Sequence, residues 1–321
     1  MSWHSHVVVG YDGSRDGDRV VRWAVTEAKL RRIGVTICHA WHWEYPMTQI
    51  DPEWLGIVKR MAGHVLDHGV FIARTIAPTV QVRKVLLPGP ASSVLLHEAE
   101  DAEAIVVGSG GEGDVPAGST AMRLAAMASC PVVVIRSAGP ADGRIVVGVD
   151  ESAGSDAALA FAFEEAALKG WQVHAVHGCG DPPLDTDPEI IRRRAGVLLE
   201  RAVAPWRDKY PQVAAWTRLV MEPAHEALVK AATGTEMLVV GDQGAGVHPP
   251  LTLGPVSRAM LHRAPCTVTV AHHWRSSGDV DESARARPGA RADRPRPTPL
   301  EPVRSSPDIG EGDADMRRWP P

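Results

Sequence analysis

Two stretches of this chain carry the residue types and spacing that can hold an anion. Ala104–Ile135 reads AIVVGSGGEGDVPAGSTAMRLAAMASCPVVVI. It is an apolar run, a loop with Gly108, Gly110, Gly111, Gly113 and Gly118, a helix opened by Ser119 or Thr120, and a second β-branched run. Glycine lets the backbone turn its amides inward, and a loop of that shape ahead of a helix N-terminus is suited to phosphate. The plan returns at Glu236–Ala271, where Gly241, Gly244 and Gly254 hold the corresponding places. A single glycine loop is also what any tight strand-to-helix connection needs. Two in register make phosphate the sharper expectation.

Around these loops, strands and helices alternate. Val7–Val9 is a short apolar strand ending in GYDGS, and a helix over about Asp16–Arg32 follows. Val20, Val21, Ala24 and Ala28 form its apolar stripe, and Gly34 is expected to stop it. Val35–Trp41 is the next strand, Pro52–Ala77 a helix, Val80–Leu87 a third strand, and Gly89-Pro90-Ala91 opens a third helix through Ala99. Such alternation calls for a parallel sheet covered on both faces.

The pattern then restarts. IVVGVD at Ile145–Asp150 repeats VVVGYD at Val7–Asp12 at an offset of 138, and Met221–Leu228 echoes Pro88–Leu95. Gly108 and Gly241 differ by 133, whereas Gly118 and Gly254, like Cys130 and Cys266, differ by 136, so the first glycine loop lacks three residues. The chain is a tandem duplication: a first domain at 1–137, a linker at 138–144, a second domain at 145–274. Residues 275–321 hold eight prolines, nine arginines and nine acids without apolar periodicity, and are expected to be a disordered tail.

Composition narrows the classes. Apolar residues make up 44% and charged residues 23% of 321, as in a globular α/β protein. A net charge of −5 argues against a general nucleic-acid binder. No apolar run approaches a membrane span and the N-terminal stretch lacks a signal peptide's apolar core, so a cytoplasmic protein is expected. Cys38, Cys130, Cys179 and Cys266 show no CxxC spacing and read as buried free thiols of a reducing compartment. His39/His42 and His174/His177 repeat an HxxH spacing, but positions i and i+3 of a strand face opposite ways about 10 Å apart, which excludes a shared metal ion. There is no G-x-S-x-G elbow and no Walker lysine, so catalysis finds little support.

These residues resemble the universal stress protein family in its tandem two-domain form, over about residues 5–272. The resemblance rests on GYDGS and GVDES at the strand ends, on the helix openings GPASSVL and EPAHEAL, and on the loop pattern. ATP-binding members are similar to one another in a glycine, two residues, a glycine, nine residues, a glycine, then Ser or Thr. The family implies two doubly wound five-stranded parallel sheets of strand order 3-2-1-4-5, with ligands at the switch point between strands 1 and 4. It also implies pairing through the last strands, here Pro131–Ser137 and Thr267–His273, into an internal pseudo-dimer that leaves no valine-rich edge bare. His39 and His174 match a strand-2 histidine common in the family.

By this resemblance the nucleotide contacts are Asp12, Gly108, Gly111, Gly118 and Ser119 in the first half, and Asp150, Gly241, Gly244 and Gly254 in the second. Asp12 and Asp150 also suit turn formation, with Ser14 or Ser152 as helix cap. Neither half keeps the loop pattern whole. In the first, six residues separate Gly111 from Gly118, and Glu112 and Asp114 among them would repel a triphosphate unless Mg²⁺ came between. Three missing residues remove up to about 10 Å of extended chain. In the second, the spacing is complete but Pro255 replaces the hydroxyl residue, which favours the second half as the nucleotide site. The expected function is an ATP- or adenine-nucleotide-binding regulator of stress response, a homo-oligomer acting through a regulatory protein partner. The alternatives are a nucleotide-free adaptor or chaperone-like protein of the same fold and, third, a slow ATPase or nucleotidyl transferase with Asp12 or Asp150 holding Mg²⁺.

Overall fold

The computed structural model describes residues 5–41, 52–110, 118–136, 141–180, 187–246 and 252–272. The tail, His42, Gly111, Glu112 and Asp114 lie outside these. Both halves fall in one compact unit, Met1–Arg275.

The first half runs β1 (His6–Gly10), α1 (Arg15–Arg31), β2 (Gly34–Trp41), α2 (Pro52–Ile76), β3 (Val82–Pro88), α3 (Ala91–Glu98), β4 (Ala104–Gly108), α4 (Ser119–Met127) and β5 (Val132–Ile135). The second runs β6 (Arg144–Gly148), α5 (Ala153–Lys169), β7 (Gln172–Gly178), α6 (Pro188–Lys209), β8 (Ala215–Val220), α7 (Ala224–Ala231), β9 (Met237–Gly241), α8 (Pro255–Arg263) and β10 (Thr267–Ala271). The strands make one sheet in the order β3-β2-β1-β4-β5-β10-β9-β6-β7-β8. Each half is therefore the expected 3-2-1-4-5 arrangement, and pairing is parallel within it. The halves join antiparallel through their last strands, Val134 opposite Val268 and Val132 opposite Val270. All four of these valines are buried completely, so the edges that a single half would expose are closed.

Apolar side chains alternate between the two faces of the sheet, and each face has its own core. Val7, Val9, Val147 and Val239 meet α1, α2, α5 and α6 on one face, where Phe163, Leu159 and Val20 are buried. Val8, Val146, Val134 and Val268 meet α3, α4, α7 and α8 on the other, with Leu95, Leu124, Leu228 and Met260. α1 starts at Ser14, whose hydroxyl accepts the Gly17 amide at 3.0 Å, and Ser152 caps α5 in the same way from Ser155 at 3.1 Å. Asp16 and Asp18 in the first turn and Lys29 and Arg31 in the last suit the dipole of α1.

One local expectation needs correction. Gly34 does not stop α1; it opens β2, and Arg32 takes the left-handed cap conformation at φ 58°. Ser119 opens α4 as its first residue, as expected. Gly118 is the cap residue, without a side-chain bond. The glycine turns the chain tightly enough there that its own amide bonds the Ser109 carbonyl at 2.8 Å.

At the seam between halves lies a buried group of charges. Glu27 and Arg31 on α1 meet Glu165 and Lys169 on α5, with each pair one helical turn apart and related by the offset of 138. Lys169 Nζ is 2.9 Å from Glu27 Oε2 and 2.7 Å from Glu165 Oε2, and Arg31 reaches both carboxylates. The rings of Trp23 and Trp171 each lie 4.7 Å from Lys169 Nζ.

Candidate functional site

Where β1 and β4 diverge, and again where β6 and β9 diverge, the sheet leaves a cavity at its C-terminal edge. This is the switch point at which α/β sheets bind ligands. The first cavity, about 410 Å³, is lined by Asp12, Gly108, Gly110, Arg15, His39 and Thr120, with Cys38, Val94 and Leu95 as apolar wall. The second, about 340 Å³, is lined by Asp150, Gly241, Gly244, Gly254, Pro255 and His177, with Val176, Leu228 and Val240. Both fall in the usual range of small-molecule sites, about 300–1,000 Å³.

The structure thus gathers Asp150, Gly241, Gly244 and Gly254 around one cavity, and Asp12 with Gly108 around the other. Gly118 stands behind Gly110, Ser119 is exposed and outside the cavity wall, and Gly111 falls outside the described residues. In the first half it is Thr120, one position further on, that reaches the cavity.

The second loop is held by its own aspartate. Asp150 Oδ1 accepts from the Ser152 amide at 2.9 Å and the Ser152 hydroxyl at 2.5 Å, so the turn role is real. Asp150 Oδ2 accepts the Ala245 amide at 3.2 Å, across the loop. A Cβ on Gly244 would lie 2.8 Å from that Oδ2, which is why the loop needs glycine there. Asp12 repeats the turn half: its Oδ1 accepts from the Ser14 amide at 3.0 Å and hydroxyl at 2.6 Å. Gly241 packs against α5, where a Cβ would come within 2.5–2.7 Å of the Gly154 backbone, whereas one on Gly108 would meet nothing closer than 3.6 Å among the described residues.

Around the second cavity the polar atoms are mostly committed. Ser257 Oγ donates to the Gly241 carbonyl at 2.5 Å, and Pro255 opens α8 without an amide hydrogen. Among the described residues no lysine or arginine lines it, while Arg15 lines the first. An anion in the second cavity therefore depends on loop and helix amides; one in the first has a guanidinium as well. Cys38 is inert as a nucleophile here, because burial pushes its thiol up to about 12.

The histidine reading needs a correction. His39 Nδ1 bonds the Tyr11 carbonyl and His177 Nδ1 bonds the Val149 carbonyl, both at 2.7 Å, so His177 is the partner of His39 in the repeat. His174 meets Trp216 in a tilted arrangement with ring centroids 5.1 Å apart, and burial together with Arg144 lowers its proton affinity. The HxxH spacing is a coincidence of two unrelated positions. Sequence reasoning misses Arg15 and Ser155; the signal for the latter is the offset of 138, which places Ser155 opposite Gly17 and His177 opposite His39.

The Universal stress protein family model matches residues 4–136 and again 143–272. A universal stress protein of Mycobacterium tuberculosis is 31% identical over 285 residues, covering 83% of this chain and 96% of the relative. The crystal structure of a universal stress protein from Archaeoglobus fulgidus is similar in fold at a TM-score of 0.64 and 16% identity, covering 84% of this chain and 96% of that one. Another from that species, solved in complex with dAMP, is 26% identical with a TM-score of 0.35, all of it matched over 42% of this chain.

Proposed function

The chain belongs to the universal stress protein family, and from that premise we propose that it is a stress-response regulator that takes up an adenine nucleotide, ATP foremost, in the cavity of its second half. The reading places it in the cytoplasm as a homo-oligomer of tandem chains that changes its choice of regulatory protein partner with nucleotide supply. One observation carries it: the full-length loop Gly241–Gly254 already turns an amide, that of Ala245, onto an oxygen anion, Asp150 Oδ2, at 3.2 Å. A loop that accommodates a carboxylate can accommodate a phosphate in its place. Both oxygens of Asp150 are engaged by N–H and O–H donors, so Mg²⁺ would enter on the triphosphate rather than on this carboxylate.

Arg15 supports a second reading, in which the first half holds the phosphates with Asp12, Gly108 and Thr120 in the cavity wall. Calorimetry with ATP, with and without Mg²⁺, separates the two. Second-half binding predicts affinity no better than micromolar, about tenfold tighter in Pro255→Ser, which restores one hydrogen bond to a charged group. It predicts loss of binding in Gly244→Val. Binding untouched by either change but removed by Arg15→Ala moves the site to the first half. No heat with any variant overturns the nucleotide reading and leaves an adaptor of the same fold; product formed on long incubation would favour the ATPase.

A further inference from the structure

We propose that His39 and His177 are positioning residues that aim Asp12 and Asp150 into their cavities by gripping the peptide just before each aspartate. The backbone ladder between strands 1 and 2 of each half ends with the Tyr11 amide on the Cys38 carbonyl at 2.9 Å and the Val149 amide on the Val176 carbonyl at 3.0 Å. One residue further along strand 2, an imidazole supplies the next donor, His39 to the Tyr11 carbonyl and His177 to the Val149 carbonyl. A carbonyl oxygen can only accept, so Nδ1 carries the hydrogen in both rings. The carbonyl and the following amide share one plane, so fixing the oxygen fixes the direction in which the aspartate leaves the strand.

The grip is double in the second half. The Asp150 amide donates to Ser155 Oγ at 3.0 Å, so the peptide between Val149 and Asp150 is held at its oxygen by His177 and at its nitrogen by Ser155. Gly17 occupies the position of Ser155 in the first half and offers no hydroxyl. With its peptide fixed, Asp150 spans the turn at Ser152 and the glycine loop at Ala245 at once. His177 thereby connects strand 2 to the loop that would meet phosphate without touching that loop itself. The consequence for nucleotide affinity rests on the function proposed above; the aim of Asp150 does not.

The test uses the whole chain, with nitrogen-labelled histidine and backbone amides followed by NMR. In the wild type, His177 in its neutral form should be the Nδ1–H tautomer, and the Ala245 amide should show the downfield shift and slow exchange of a bond to carboxylate. His177→Asn places an amide nitrogen where Nδ1 was and should keep the Ala245 signal. His177→Gln carries its amide one carbon further and should lose that signal, with protection against exchange falling about tenfold, as for loss of one charge-assisted bond. Where ATP binds, Asn should hold the dissociation constant within about threefold and Gln weaken it about tenfold. An Nε2–H tautomer in the wild type, or Asn and Gln variants that both keep or both lose the Ala245 signal, would overturn the proposal. ATP failing to bind while the Ala245 signal follows the predicted order would sink the nucleotide reading and leave the positioning role standing.

Discussion

Arg32 and Gly170 occupy the same place in the two halves, just after α1 and α5, and both are left-handed, at φ 58° and 68°. That conformation costs a non-glycine residue about 1–2 kcal/mol, and a looser unfolded chain offsets part of any gain from glycine. Arg32→Gly should therefore stabilise the protein by about 0.5 kcal/mol, read as a higher urea midpoint; a lower midpoint would show that the arginine side chain makes contacts worth more than the strain. Gly108 and Gly241 make the opposite point, since equal places need not have equal roles. A methyl group on Gly241 meets the Gly154 backbone, while one on Gly108 meets, among the described residues, only Val20 Cγ2 at 3.6 Å and the Gly110 amide nitrogen at 3.9 Å. Gly241→Ala should lose about 1–3 kcal/mol through backbone displacement, and Gly108→Ala should stay within about 0.5 kcal/mol. Equal effects in thermal unfolding would mean that the two loops pack alike. From sequence both glycines read as phosphate contacts, because spacing reveals where glycine stands but not what approaches it.

At the level of elements, the N-terminus of α5 ties the cap to the glycine loop. Ser152 caps the helix from Ser155, donates to Asp150, and lies 3.2 Å from the Gln243 carbonyl on the loop. Losing an N-cap costs about 1 kcal/mol, and Ser152→Ala also frees Asp150. The expected loss is about 1–2 kcal/mol, against about 1 kcal/mol for Ser14→Ala, whose hydroxyl, among the described residues, serves the cap and Asp12. Matching losses in paired denaturation curves would show that the loop contact adds nothing. The strand and helix order, the strand order and the repeat were legible because apolar periodicity and turn residues mark them directly. The strand-2 histidines were misassigned because the offset changes along the chain. It is 138 through β2 and β7, falls to 133 by β3 and β8, where Val82 and Ala215 take the same register, and a motif of two histidines three apart fits either reading. The committed state of Asp150 was not legible at all. It depends on a contact between residues 95 apart, which no local pattern encodes.

For the whole molecule, the antiparallel seam of β5 and β10 closes the sheet, and the charges above it fix how α1 and α5 meet. Glu27 is 4% and Glu165 0% exposed, so neither can rely on water to balance its charge. Burial pushes the Glu27 carboxyl up, but Lys169 and Arg31 outweigh it and hold it below its usual range. Such a cluster is weak evidence for net stability, yet removing one member leaves a buried charge uncompensated. Lys169→Met should destabilise the protein by about 3–5 kcal/mol at neutral pH, although it also removes a cation packed between two indole rings. The pH dependence separates charge from packing. In the wild type, Glu27 contributes stability that is present above its unfolded pKa, about 4.3, and lost as pH falls through its lower folded value. Without Lys169, burial dominates and its folded pKa rises above the unfolded one, so the variant is penalised at high pH and relieved as pH falls through that raised value. The gap between variant and wild type should thus be largest near about pH 8 and narrow by about pH 5. A gap of constant size in urea unfolding at both pH values would mean that Lys169 holds the halves together by packing on Trp23 and Trp171, and that the carboxylates carry no electrostatic share of the seam.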